Sequence, residues 1–270
     1  MLNDSAPAET PSGLTQAWQV QRRVIGALLL REMLTRYGRN NIGFLWLFVE
    51  PMLFTLVITA LWSATRQIHG SSIPITAFAL TGYSSILMWR NMPGRCIGAL
   101  KSNMPLLYHR QVKILDVYIA RVILEFAAAT VSFVLLGLAL WGAELLLPPE
   151  DSIQVLWGWL MLAWFGAGLA FTLGGLSERF DLVDKLWPPM SYILFPLSGA
   201  AFLVDALPRS VQEIVLYLPM LHAVEYIRDG YFGSQFVAHH DLGYLLAANM
   251  LLTVSGLSLI RQIGLEAGEQ

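Results

Sequence analysis

Apolar residues in this chain gather into long uninterrupted windows instead of alternating with polar ones at the period of a half-buried strand or a narrow helical stripe. Six windows stand out: Ile42 to Trp62, Ile73 to Trp89, Val122 to Gly142, Val155 to Leu176, Leu186 to Val204 and Leu242 to Ile260. A bilayer core about 30 Å thick is crossed by roughly 20 apolar residues in helical form, with about 17 as the short limit. The pattern therefore predicts an all-α membrane protein with six transmembrane helices. The second window is the shortest, and the fifth is interrupted by Pro188, Pro189 and Pro196, which a membrane helix tolerates only where neighbours satisfy the freed backbone.

The segments between windows are not plain loops. Over Gln16 to Tyr37, Trp18, Val24, Ile25, Leu28, Leu29, Met33 and Leu34 are interleaved with Gln21, Arg22, Arg23, Arg31, Glu32 and Arg36. The continuous apolar run there is too short to cross, so the composition predicts an amphipathic helix in the cytoplasmic interface. The same arginines would equally serve as a basic anchor for the first span. In both cases Arg31, Arg36 and Arg39 lie at lipid-phosphate depth. Between the second and third windows, Arg95, Lys101, Arg110 and Lys113 are set among Leu100, Met104, Leu106, Leu107 and Tyr108. One or two short helices are expected, with the apolar residues covered by a soluble partner or by the chain's own helices. Between the fifth and sixth windows, Val211 to Leu218 and Met220 to Tyr231 flank Pro219. Each is too short to span, so they are read as two re-entrant half-helices before the sixth span or as a surface amphipathic pair. The organisation is then a disordered N-terminus over 1–13, an interfacial helix over 14–38, a six-span domain over 39–264 and a tail over 265–270. Residues 1–13 lack a basic stretch followed by an apolar one, so no cleaved signal peptide is expected and the first span directs insertion.

Composition sharpens the picture. Of 270 residues, 56% are hydrophobic and 13% charged, about half the charged share of a globular protein, which excludes a soluble chain. The net charge of −2 is spread through connecting segments and offers no basic domain for nucleic acid. Placing the N-terminus inside leaves only Arg66, Arg209 and Arg228 of the seventeen basic residues outside, so both termini are expected in the cytoplasm. A single cysteine, Cys96, excludes an intramolecular disulfide and a cysteine-based zinc site. His239, His240 and Asp241 are read as solvated loop residues, with no metal and no cofactor in the chain.

Catalytic patterns fail: the sequence holds no GxSxG, HExxH or GxxxxGK[ST] motif. Glu50, followed by Pro51, lies inside the first span, where a charged acid costs about 2.5 to 3.5 kcal/mol at mid-bilayer. It either faces a channel or pairs with another helix. Glu125 is expected to pair with Arg121, one turn earlier. Gly166, Ala170 and Gly174 set a small residue at every fourth position of the fourth span, which predicts close helix packing. Phe44, Trp46, Phe48 and Tyr83 offer aromatic faces that suit core packing, an interfacial belt or a lining for sugar rings.

The run Arg31-Glu-Met-Leu-Thr-Arg-Tyr-Gly-Arg-Asn-Asn-Ile-Gly-Phe-Leu-Trp-Leu-Phe-Val-Glu-Pro-Met-Leu, residues 31–53, resembles the ABC-2 type permeases that export polysaccharides. It is most similar to the capsular, polysialic acid type permeases of Gram-negative bacteria. The resemblance implies a homodimer in the bacterial inner membrane bound to a separate ABC ATPase that carries ATP and magnesium, which fits the missing phosphate loop. It implies a lipid-linked polysaccharide substrate, a periplasmic adaptor or co-polymerase and an outer-membrane polysaccharide exporter. Spans one and five would line the channel, with Phe44, Trp46, Glu50 and Tyr83 as candidate lining and Arg31, Arg36 and Arg39 as the loading site. Arg95, Lys101 and Arg110 would couple to the ATPase, and Pro219, Tyr226 and Tyr231 would belong to a periplasmic gate. Exporters of O-antigen or teichoic acid share this architecture. A flippase or ion-coupled transporter using Glu50 would call for inverted repeats, and a sugar polymerase would call for an acidic metal cluster, for which Asp181 and Asp184 beside Lys185 are the nearest match.

Overall fold

The computed structural model describes residues 13–37, 45–46, 49, 52–53, 55–61, 73–107 and 112–268, and all regular structure among them is helical. The helices are α1 (Gly13–Tyr37), α2 (Ile75–Cys96), α3 (Ala99–Leu107), α4 (Ile114–Gly142), α5 (Ser152–Arg179), α6 (Leu182–Leu197), α7 (Arg209–Val215), α8 (Pro219–Phe232) and α9 (Leu242–Gly268). Residues 55–61 are helical as well. Residues 1–12 of the expected N-terminal tail, and residues 42–44, 47–48, 50–51, 54 and 62 of the first window, lie outside the described residues.

Among the described residues, three helices are long and apolar enough to cross a membrane: Ile114–Gly142, Ser152–Arg179 and the Leu242–Glu266 part of α9. The second window is helical over its described length, but Thr81, Ser84, Ser85 and Arg90 dilute its apolar character. Packing explains the dilution. From Ala77 to Ile86 every residue of α2 is buried, so neighbouring helices, not lipid, form its surroundings. Its hydroxyls turn inward on their own backbone, Thr81 Oγ1 donating to Ala77 O at 2.9 Å and Ser85 Oγ to Thr81 O at 2.6 Å. The fifth window is a shorter helix than expected, the 16-residue α6, which ends at Leu197.

Local chemistry sets several boundaries. Asp151 caps α5 by accepting the N–H groups of Ile153 and Gln154, each at 2.9 Å. Asp116 in the first turn of α4 accepts the Lys113 N–H at 2.9 Å. Pro219 opens α8 at a position where its missing N–H costs nothing.

Helix α5 packs against α2, α4, α6, α8 and α9. The glycine spacing read in the sequence serves this purpose. A Cβ at Gly166 would lie 2.8 Å from Met92 Sδ of α2, and one at Gly174 would lie 2.5 Å from Tyr118 of α4. Ala170 between them is fully buried. Gly158 gives room to Ile227 of α8, while Gly168 and Gly175 face Leu252 and Leu259 of α9. Around this centre, α1 lies along α4 with Leu28 buried and Leu29 and Met33 packed on Leu124 and Ala128. The bundle thus has one end built from α1, α3 and the start of α4, and an opposite end built from α7, α8 and the turn between α4 and α5.

Candidate functional site

At the first end, the stretch read as a basic loop is mostly helix: α2 runs on to Cys96 and α3 follows directly. The polar residues of α1, α3 and α4 are knitted together. Asn103 of α3 is buried; its Oδ1 accepts from Arg31 Nη1, and its Nδ2 donates to Ala99 O at 2.9 Å. Arg121 of α4 donates to Glu32 of α1 from Nε at 2.9 Å, to Ser102 of α3 from Nη2 at 2.9 Å and to Arg95 O at the end of α2 from Nη1 at 2.5 Å. Near the start of α4, Gln21 Nε2 donates to Asp116. Arg31, expected among lipid phosphates, is therefore held by α3. The side chain of Arg36, and Arg39, Phe44, Glu50 and Arg110 entirely, lie outside the described residues.

Two of the candidate coupling residues, Arg95 and Lys101, sit on this surface. Arg95 Nε lies 3.5 Å from Glu125 Oε1, so Arg95 rather than the expected Arg121 is the partner of that acid, because Glu32 draws Arg121 the other way. Lys101 Nζ lies 2.9 Å from Asp181 and 3.7 Å from Asp184. That pair of acids, read as a solvated loop, is thus the counter-charge of α3, and Lys101 holds the Asp181 carboxyl below its ordinary range. Leu100 N–H donates to Glu178 Oε1 at 3.3 Å, which fastens the first turn of α3 to the end of α5.

The opposite end is a cap of short elements between α6 and α9. α8 is buried along most of its length, at Met220–Glu225, Ile227, Arg228 and Gly230–Phe232. Sequence reasoning counted Arg228 among the three basic residues on the outer side of the membrane; the structure encloses it completely. Its Nη1 donates to Gly199 O at 2.5 Å and Phe202 O at 3.2 Å, and its Nη2 to Phe78 O and Ala200 O, both at 3.5 Å. The guanidinium carbon stands 3.8 Å from the centre of the Phe78 ring. Glu225, one turn earlier and also buried, accepts the His239 N–H at 3.1 Å.

Three histidines tie the same cap to α9 and its approach. His222 Nδ1 accepts the Asp241 N–H at 2.9 Å, so its Nε2 carries the proton and donates to Leu216 O at 2.7 Å. His239 meets Asp205 at 3.2 Å and His240 meets Asp229 at 3.4 Å. The candidate gate residues have distinct places here. Pro219 starts α8, Tyr226 packs edge-on against His240, and Tyr231 Oη donates to Leu147 O at 2.6 Å beside the α4–α5 turn. Of the aromatics proposed for a lining, Tyr83 is 4% exposed and rests against Phe195, while Trp46 is 51% exposed. A sign of Arg228 and Glu225 was present in the sequence: two opposite charges at i and i+3 inside the apolar run Met220 to Tyr231.

Residues 23–232 match the family described as ABC-2 type transporter. The chain is 44% identical over 249 residues to the capsule polysaccharide export inner-membrane protein CtrC of Neisseria meningitidis serogroup B, covering 91% of this chain and 94% of that protein. It is 41% identical over 246 residues to the capsule polysaccharide export inner-membrane protein BexB of Haemophilus influenzae, covering 91% and 93%. Against the polysialic acid transport protein KpsM of Escherichia coli the identity is 26% over 244 residues, covering 90% and 95%. With a family match across most of its length and helices built for a bilayer, the chain belongs to the ABC-2 type transporters.

Proposed function

We propose that this protein is the membrane-embedded permease subunit of an ABC exporter that carries capsular polysaccharide across the bacterial inner membrane. The observation that carries this reading is the near full-length similarity to CtrC and BexB, whose names state capsule polysaccharide export and an inner-membrane location. Membership of the family brings with it an ABC ATPase partner and a dimer, consistent with a sequence that has no phosphate-binding loop. Two copies, two ATPase subunits, six spans per copy and both termini in the cytoplasm make up the proposed assembly. The basic α1–α3 end then faces the ATPase, and the α7–α8 cap faces the periplasm with its half-helices turned back into the bundle.

Two surfaces of the single copy support the dimer. On α6, Leu182, Leu186, Met190, Tyr192, Ile193 and Leu197 are exposed, as are Leu53, Leu56, Val57 and Leu61 in the first window. In a bilayer such faces meet lipid or a second copy, and the channel would run between copies at spans one and five. A lipid-linked polymer would enter from the cytoplasmic side past Arg36 and Arg39 and leave toward a periplasmic adaptor and an outer-membrane exporter. The decisive experiment is complementation in a capsulated Gram-negative strain that lacks its own permease. Restored surface capsule is expected. Intact expression and ATPase binding with polysaccharide still trapped inside the cell would refute the reading.

A further inference from the structure

We propose that Arg228 is a two-position latch: it holds the outer cap closed by gathering the carbonyls at the end of α6, and opening transfers its guanidinium to Glu225. This rests on reading residues 198–232 as the outer closure of an export path. Where a helix ends, the backbone that follows must find hydrogen-bond partners outside the helix. α6 ends at Leu197, and the chain then turns through Gly199 at φ +82°, a conformation open to glycine. The carbonyls of Gly199, Ala200 and Phe202, in the turn that follows α6, all accept from Arg228. One side chain of α8 thereby fixes the break after α6.

The same guanidinium fixes this break to α2. It stacks on the Phe78 ring and donates to Phe78 O. Space for it is provided by Gly82, where a Cβ would stand 2.7 Å from Nη2 and 3.0 Å from the Ala200 backbone. A fork with several donors is needed to reach several carbonyls at once, which lysine cannot do. The second position is already prepared. Arg228 Nε and Glu225 Oε1 are both buried without a hydrogen-bond partner among the described residues, and the two side chains share a face of α8 at i and i+3. A guanidinium that releases the carbonyls moves toward an acceptor that is held open, so the charge never travels through an apolar interior alone.

The test uses the intact permease and ATPase complex in proteoliposomes loaded with a small hydrophilic fluorophore. Leak is measured without ATP, and polysaccharide export with ATP. Arg228→Lys and Gly82→Ala are expected to raise the leak about tenfold or more, the change that loss of one charge-assisted hydrogen bond brings to a two-state equilibrium. Glu225→Gln is expected to stay tight but to lower export severalfold, since the released guanidinium then lacks an acid that can give up its proton and pair with it as a carboxylate. Phe78→Leu, which removes only the ring, reports the same leak if Arg228→Lys does not fold. Tight vesicles for Gly82→Ala together with Arg228→Lys or Phe78→Leu would overturn the latch, as would Glu225→Gln exporting at the wild-type rate. Because leak needs no polysaccharide, a wild-type complex that exports nothing would count against the export reading while the leak comparison still judged the latch.

Discussion

Glu225 illustrates how far a single residue departs from its reading in sequence. Burial pushes its carboxyl up to about 7, against the opposing pull of Arg228 and the His239 N–H. The folded cap thus keeps a proton that an unfolded chain releases near the ordinary glutamate value of about 4.5. Stability from this proton is complete below pH 4.5 and is lost as pH rises toward and through 7, on the order of 3 kcal/mol in all. Glu225→Gln mimics the protonated acid and removes the dependence. In detergent, the melting temperature of Glu225→Gln relative to wild type is expected to climb from pH 5 to pH 8; a constant difference would show that the carboxyl titrates as it does in water. His222, whose buried ring resists protonation, acts in the opposite sense but cancels in this comparison. Charge counting along the chain recognises Arg228 and Glu225 only as polar residues outside a span. Arg228 is enclosed by Phe78 of α2 and by the turn after α6, Glu225 is met by His239 beyond α8, and local periodicity does not carry that information.

Among the elements, the long apolar helices were the most legible. α4, α5 and α9 are long and apolar enough to cross a bilayer, so a hydropathy window finds them. α2 is surrounded by protein, and hydroxyls that bond to their own helix are harmless there, so its hydropathy understates its depth. The stripe of Gly166, Ala170 and Gly174 was legible because only close packing makes use of such spacing. It also gives a test. Gly174→Ala gains at most about 1 kcal/mol in helix propensity, but its methyl would be driven against Tyr118, and overpacking costs about 1 to 3 kcal/mol. Overpacking should win, lowering the melting temperature, whereas exposed Gly142→Ala, with nothing near its Cβ, should not. The clamp between α1 and α3 was not legible, since Arg31 looks like any interfacial arginine until α3 is placed beside it. Asn103→Ala removes the acceptor of Arg31 and a buried side chain bond to Ala99, a loss of about 1 to 3 kcal/mol. Faster proteolysis within α1 is the expected sign, and unchanged cleavage would mean that Arg121–Glu32, Gln21–Asp116 and the apolar packing on α4 hold the helix without Asn103.

For the whole molecule, the clamp changes how the three candidate loading residues, Arg31, Arg36 and Arg39, divide their work. Arg31 is committed to Asn103, so its loss would loosen α1 from α3 whether or not it meets substrate. Arg36 and Arg39 follow on the chain toward the first span, at the depth where an anionic lipid-linked polymer would enter. A contribution of about 1 kcal/mol per basic residue near the headgroups makes their joint reversal a change of several kcal/mol in local attraction. The double variant Arg36→Glu/Arg39→Glu is therefore expected to abolish export while leaving the melting temperature and ATPase association intact. Arg31→Glu is expected to lower the melting temperature as well. Capsule surface display, thermal unfolding and co-purification with the ATPase separate the two outcomes. Loading at this surface is wrong if Arg36→Glu/Arg39→Glu exports normally, and the division of labour is wrong if Arg31→Glu melts like the wild type. Normal export by Arg36→Glu/Arg39→Glu would move the entry of the polymer away from the amphipathic helix and toward the exposed apolar faces of the first window and α6, the faces proposed to meet in a dimer.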